Sequence, residues 1–454
     1  MSEQRPAGGI GALQGDAALV RAVGSMALTA AVINIIVGAG IFKMPATLSA
    51  QMGAAAPLAL IAGALAILPV ALCFAAVGSR AAATGGPYTY ASAVFGPFAG
   101  FIAGALMWIS NVASSAGVSA ALSVQVAGLF PAFAEPGPRA GLIVSVYLAV
   151  FALNAYGVRL GARAIAVLAT LKLTPLFLLT GVGLFFVDWN HISWTDVPSW
   201  SAMGTSMVLV MFAYSGMETA LIPSGEVRDV SKSVPRATIA AILLVVLLYL
   251  GLQVVTQGVL GPALGQSGVP LADTAGALWS SSGRTVLLLT ACVSMLGFLM
   301  GNLLGTSRLV FALGRDGYLP SAFGRVSASH RVPLLAITAH AGLACVLALT
   351  SVLDASELVA GGFDTLVLIS GGGNCLVYIT VCLAAWRAQR IDLRERGEPF
   401  VMPGGGAIPL ISVVAMVAIV ATLTAKEWLA LGGALAALIA VYAILRTMRP
   451  RKSP

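Results

Sequence analysis

The chain has 454 residues, of which 59% are hydrophobic and only 9% charged. A soluble domain carries about 25% charged residues, so this composition excludes a water-soluble globule. The formal net charge of +8 raises nucleic acid as a partner, but the distribution of the charge along the chain argues against it, as shown below.

From the N-terminus, residues 1–24 are polar and glycine-rich, too weakly apolar for a cleaved signal, and read as a cytoplasmic tail. Apolar runs of roughly twenty residues then recur, each long enough to cross a hydrocarbon core of about 30 Å. Twelve are expected, at about 25–50, 55–79, 91–130 (one long tilted helix), 140–156, 162–187, 201–224, 236–260, 284–313, 333–351, 358–386, 407–424 and 428–446. Barrel strands would need only about ten residues each, so the class is an all-α polytopic membrane protein. The connection at about 260–283 reads as a short surface helix, and 447–454 as a second cytoplasmic tail.

With both termini on one side, the loops sort by charge. One face collects Arg5, Arg21, Arg80, Arg159, Arg163, Arg228, Lys232 and Arg236. It continues with Arg308, Arg315, Arg325, Arg331, Arg387, Arg390, Arg394, Arg396 and the basic C-terminal tail. The opposite face has only Arg139, Arg284 and Lys426, with Lys43 near its edge. Positive loops stay in the cytoplasm, so the basic excess reports topology in a plasma (bacterial inner) membrane, with no nucleic-acid partner. The five cysteines all fall in apolar spans without metal-ligand spacing and read as small core residues. His191 and His330 fall in loops and His340 alone in a span, so no metal or histidine-based catalytic site is expected, and no cofactor.

Two spans carry glycines where a helix tolerates them least. The first contains Gly38-Ala39-Gly40 and the sixth contains Ser215-Gly216. The first could be packing glycines of the small-x-x-x-small kind. A matching interruption five helices later points instead to two broken helices in an inverted repeat, because unwound backbone in lipid survives only where it lines a cavity or meets a ligand.

Five motifs in order carry a resemblance. They are GAGIF-x-x-P at Gly38–Pro45, GGPYTY at Gly85–Tyr90, F-x-Y-x-G-x-E at Phe212–Glu218, GEVRDVSKSVPRA at Gly225–Ala237 and RDGYLP at Arg315–Pro320. With the span count, the chain resembles the amino acid–polyamine–organocation (APC) transporters, over nearly its whole length. The resemblance implies a LeuT-like fold: a 5+5 inverted repeat (about 25–187 and 201–386) with discontinuous helices 1 and 6, plus two added helices (407–446). Two positions depart from the family pattern: Val230 stands where proline is usual, and Ala39 where many members have serine.

A zwitterion near the bilayer midplane needs N–H donors for its carboxylate and carbonyls for its ammonium, since both lose water there. The half-helix starting at Gly38, Ala39, Gly40 and Ile41 offers free amides with a favourable dipole. Carbonyls at Ile36, Phe212 and Ser215 are expected to take the ammonium, with Ala213 beside them, as the resemblance also implies. By the same resemblance Phe212 is the aromatic gate over the substrate, Asn111 and Asn302 face the substrate, and Glu218 is a proton-sensitive switch; Glu218 could equally hold helix 6 to a neighbour, and Asn111 could be glue between helices. Lys172 lies roughly ten residues from Arg163, about 13 Å deeper along a helix on a rise of 1.5 Å per residue. A charge at that depth defaults to a functional hypothesis: a proton carrier, or the fixed-charge substitute for sodium that the resemblance suggests. The alternative is a structural lysine bonded to broken-helix carbonyls.

The expectation is a sodium-independent, proton-coupled secondary transporter of a neutral amino acid, acting as monomer or homodimer in the lipid bilayer. Its partners are the amino acid and protons. Asn302 stands where relatives that clamp arginine-like cations have tryptophan, which removes one wall for cation–π stacking. The alternative is an obligate antiporter of basic amino acids and polyamines. A channel would need a continuous polar pore, and a nutrient receptor usually adds a signalling domain.

Overall fold

The computed structural model describes residues 23–81, 83–156, 162–196, 198–224, 227–327, 332–353, 363–395 and 397–448. Most of the two expected tails, Gly225 and Glu226 of the fourth motif, His330, and the loop arginines Arg159, Arg331 and Arg396 lie outside the described residues. Among the described residues the regular structure is helical, with one isolated bridge between Val23 and Val227. Among those residues, seven helical stretches are long and apolar enough to cross a membrane, and shorter apolar helices accompany them.

The first expected span is two half-helices, α1 (Ser25–Ile36) and α2 (Gly40–Met52), separated by Val37–Ala39. Gly53, at φ 57°, ends α2. A 3-10 turn leads into α3 (Ala56–Gly78), which Pro57 opens. The third span starts later than expected. Its residues 91–95 belong instead to the short α4 (Pro87–Phe95), and α5 (Pro97–Leu129) begins only after Gly96, at φ 90°. The apolar pattern runs through this junction unbroken, but Gly96 in a left-handed conformation followed by Pro97, which has no N–H to donate, cannot continue a helix.

α6 (Pro136–Ala155) and α7 (Ala162–Gly183) follow. Next comes the broken pair α8 (Trp200–Tyr214) and α9 (Met217–Ala220), and then α10 (Val230–Leu260). α11 (Pro270–Arg315) is 46 residues long, about 69 Å at helical rise and far beyond one bilayer. A kink at Trp279 and Ser280 divides it, so its first segment is a short helix outside the long one, close to the expected surface helix. α12 (Leu334–Val352), α13 (Phe363–Arg390), α14 (Ala407–Ala421) and α15 (Ala425–Met448) follow.

The core packs α5 against α11, α12 and α13, and α3 against α10, α13 and α14. The halves of the broken helices pair off, α1 against α9 and α2 against α8. Many large apolar side chains face outward, among them Leu148, Phe185, Leu247, Val346 and Leu410. On a soluble protein this would be an aggregation liability; on a bundle of this composition it is the surface that meets lipid tails.

Candidate functional site

The site is built where the two helix breaks face each other. After Ile36 the chain makes a tight turn: Val37 sits at φ −75° and ψ 73°, and the Gly38 amide donates to Ile36 O at 2.7 Å. This is an inverse γ-turn, and it swings the next residues off the helix axis. Ala39, Gly40 and Ile41 then open α2, where no preceding turn supplies carbonyls for their amides. In the partner break Ser215 is extended and Gly216 has φ 129°, a conformation that disfavours a side chain.

The breaks touch closely because both carry glycine. A Cβ on Gly216 would lie 2.9 Å from the Ile36 nitrogen, and one on Gly40 would lie 3.0 Å from Ala213 Cα. Between them is a buried cavity of about 10 Å³ lined by Ile36, Gly38, Ala39, Gly40, Phe212 and Ser215, with Ser114 and Val118 from α5 and Phe298 from α11. That volume is roughly the room one water needs, and Phe212 and Phe298 are the aromatic side chains in its wall.

Six of the residues singled out from the sequence therefore line one cavity. Ile41 and Ala213 are buried directly behind it without lining it, and Asn111 and Asn302 lie about one helical turn away. Ser114, Val118 and Phe298 were not anticipated. A sequence signal did exist: Ser114 and Val118 fall three and seven residues after Asn111, and Phe298 four before Asn302, which are same-face spacings on a helix.

Three carbonyls at the first break, Asn34 O, Ile36 O and Val37 O, are engaged by side chains from other helices. Lys172, on α7 and 1% exposed, donates from Nζ to Asn34 O and Val37 O, each at 2.8 Å. Ser294 on α11 donates to Val37 O at 2.6 Å, and Tyr249 on α10 donates to Ile36 O at 3.0 Å. Phe212 O accepts from the amide of Ser215 at 3.1 Å and from its hydroxyl at 2.7 Å. Lys172 thus joins the site through the backbone, with Nζ donating to two carbonyls.

Glu218 does not reach the cavity. Its carboxylate folds back over the second break, where both oxygens accept from the Gly216 amide at 2.9 Å, and Oε2 accepts from Tyr378 Oη at 2.9 Å. The side chain is 1% exposed. It caps the start of α9 by accepting the Gly216 N–H, and through Tyr378 it ties that break to α13.

Facing half-helices, exposed amide ends and a small midchain cavity in an all-helical apolar bundle define a polytopic membrane permease. The chain matches the amino acid permease family over residues 23–445 and belongs to it, within the APC superfamily. Among its relatives is the serine/threonine exchanger SteT of Bacillus subtilis, 28% identical over 74% of this chain and 78% of the relative. The branched-chain amino acid permease BcaP of the same organism is 25% identical over 89% and 88%. The chloroplastic cationic amino acid transporter 9 of Arabidopsis thaliana is 27% identical over 68% of this chain and 58% of its own length.

Proposed function

We propose that the protein is a sodium-independent secondary transporter that carries a neutral amino acid across the plasma (bacterial inner) membrane by alternating access. In this reading it has twelve spans, arranged as a 5+5 inverted repeat with two added helices, and its termini lie in the cytoplasm. The observation that carries the proposal is the pair of helix breaks facing each other across one cavity. The amides of Ala39 and Gly40, which line the cavity, take the substrate carboxylate, with the amide of Ile41 next along α2. The ammonium goes to Ile36 O and Phe212 O, where it competes with the hydroxyls of Tyr249 and Ser215 that already donate there.

A neutral substrate is favoured by the cavity wall, which carries no acidic side chain. A cationic side chain buried there would lack a counter-charge, and an unpaired buried charge is costly. The relatives named for serine/threonine exchange and branched-chain amino acids point the same way. The relative named for cationic amino acids supports the alternative of basic amino acid antiport.

Sodium independence is supported by Lys172, whose ammonium sits on two carbonyls of the unwound segment. Such carbonyls would otherwise be natural ligands for a small cation. Lys172 is also the group proposed to link transport to protons. Glu218 is better read as the clamp that keeps the second break in shape, with any proton coupling acting through that clamp.

The test is uptake by proteoliposomes across a full panel of labelled amino acids. Uptake driven by an imposed pH gradient supports symport, and uptake that needs internal substrate supports exchange. Absence of stereoselective uptake under both conditions refutes the transport reading.

A further inference from the structure

One helical turn from the cavity lies a buried chain of polar side chains that carboxylate and ammonium recognition leaves unused. Thr219 Oγ1 and Asn302 Nδ2 both donate to Asn111 Oδ1 at 3.3 Å. Asn302 Oδ1 in turn accepts from Ser115 Oγ at 3.1 Å and from Thr306 Oγ1 at 3.3 Å. Ser115 Oγ is also 3.2 Å from His340 Nε2 on α12. With the serine proton committed to Asn302, the imidazole must be the donor, which assigns its N–H to Nε2. Every proton in the chain therefore runs toward Asn111 Oδ1.

The chain ends in a loose polar group. Asn111 is 3% exposed, and its Nδ2 has no acceptor. Amide orientation and histidine tautomer follow from such a network, and the reversed network is self-consistent as well. Flipping both asparagines and the imidazole tautomer reverses every bond, and then Asn111 Oδ1 is left without a donor. In either direction one polar atom of Asn111 is buried and unpaired, on the helix that lends Ser114 and Val118 to the cavity wall. Asn111 lies on the face of α5 that carries Ser114 and Val118, about 4.5 Å from the first and about 10.5 Å from the second along the axis at helical rise. No carboxylate or ammonium takes part in these bonds.

We propose that Asn111 is a specificity determinant for a short substrate side chain ending in a hydroxyl or a carboxamide, with Asn302, Ser115 and His340 as residues that position it. Both groups are donor and acceptor at once, so they satisfy Asn111 whichever way the chain runs. A hydrocarbon of the same shape leaves it unpaired, and a site built to hydrogen-bond a hydroxyl rejects the analogue that lacks one. The proposal rests on reading the cavity as the seat of the amino acid backbone, and it deepens that reading from backbone to side chain.

Threonine and valine, nearly equal in shape, are the probes. Reconstituted wild-type protein is expected to take up labelled threonine about tenfold or more efficiently than valine. Asn111→Leu should bring the two efficiencies within about threefold of each other. His340→Leu should lower the ratio, whereas His340→Gln, which keeps a polar atom near the Nε2 position, should restore it; a purely structural histidine would not sort substrates in this way. Equal wild-type uptake of the two overturns the proposal, as does an unchanged ratio in an Asn111→Leu protein that still transports. If the wild type carries other amino acids but neither of these, the proposal falls and the transport reading stands. If it carries none, both fall.

Discussion

Lys172 reaches across from α7 to hold two carbonyls of a different helix. Replacing it by alanine strands Asn34 O without that donor and leaves Val37 O with Ser294 alone. Each buried carbonyl that loses its donor costs about 1–3 kcal/mol, so Lys172→Ala is expected to lower the thermal midpoint while still inserting, and to lose transport or its pH dependence. Thermal unfolding and uptake from pH 5.5 to 8.5 in proteoliposomes check both, and wild-type kinetics would remove the proposed role. Phe298 presses on the first break from the other side: a Cβ on Gly38 would lie 2.9 Å from its ring. Phe298→Ala should enlarge the cavity and shift uptake toward bulkier substrates, read as the ratio of leucine to alanine transport, at a folding cost of about 3 kcal/mol or more.

The broken helices depend on local backbone chemistry that a single substitution can test. Gly216→Ala places a methyl at φ 129° and 2.9 Å from the Ile36 nitrogen, a backbone strain of about 1–3 kcal/mol before any clash is counted. It should abolish uptake with the protein still in the membrane; uptake at the wild-type rate would show that the breaks need not touch. Tyr378→Phe removes one donor to Glu218 and should cost about 1 kcal/mol, with Glu218→Ala costing more because the Gly216 amide then loses its cap. The breaks were legible in the sequence because glycine and a matching offset between two halves leave a mark that apolar composition cannot hide. The α4–α5 junction at Gly96-Pro97 was missed because hydrophobicity runs straight through it. Tyr249, Ser294, Ser114 and Phe298 were missed for another reason: they reach the site by packing of distant helices, and in an apolar chain a wall residue has the same composition as a lipid-facing one. Lys172 stood out only because a charge is rare in such a span.

Across the molecule, the remaining motifs meet on the face that carries most of the arginines. Tyr88 of GGPYTY donates to Asp316 of RDGYLP, which Arg315 also binds at 2.9 Å. The Gly85 amide donates to Ile222 O, just past α9, at 2.9 Å. Five motifs scattered over nearly 300 positions of sequence are therefore two assemblies, a cavity and a closure beneath it. Order along the chain revealed the family but could not reveal this grouping, which depends on helix packing. Asp316→Ala should loosen the closure by about 1 kcal/mol without touching the cavity, so substrate selectivity should stay fixed while thermal stability falls; altered selectivity would count against the division. The isolated bridge at the foot of α1 belongs to the same closure, with the Arg228 amide donating to Val23 O at 2.8 Å. That one bond acts as a clock. Its hydrogen exchanges with heavy water when the start of α1 parts from the loop after α9, so the deuteration rate of a single amide counts how often that one contact breaks.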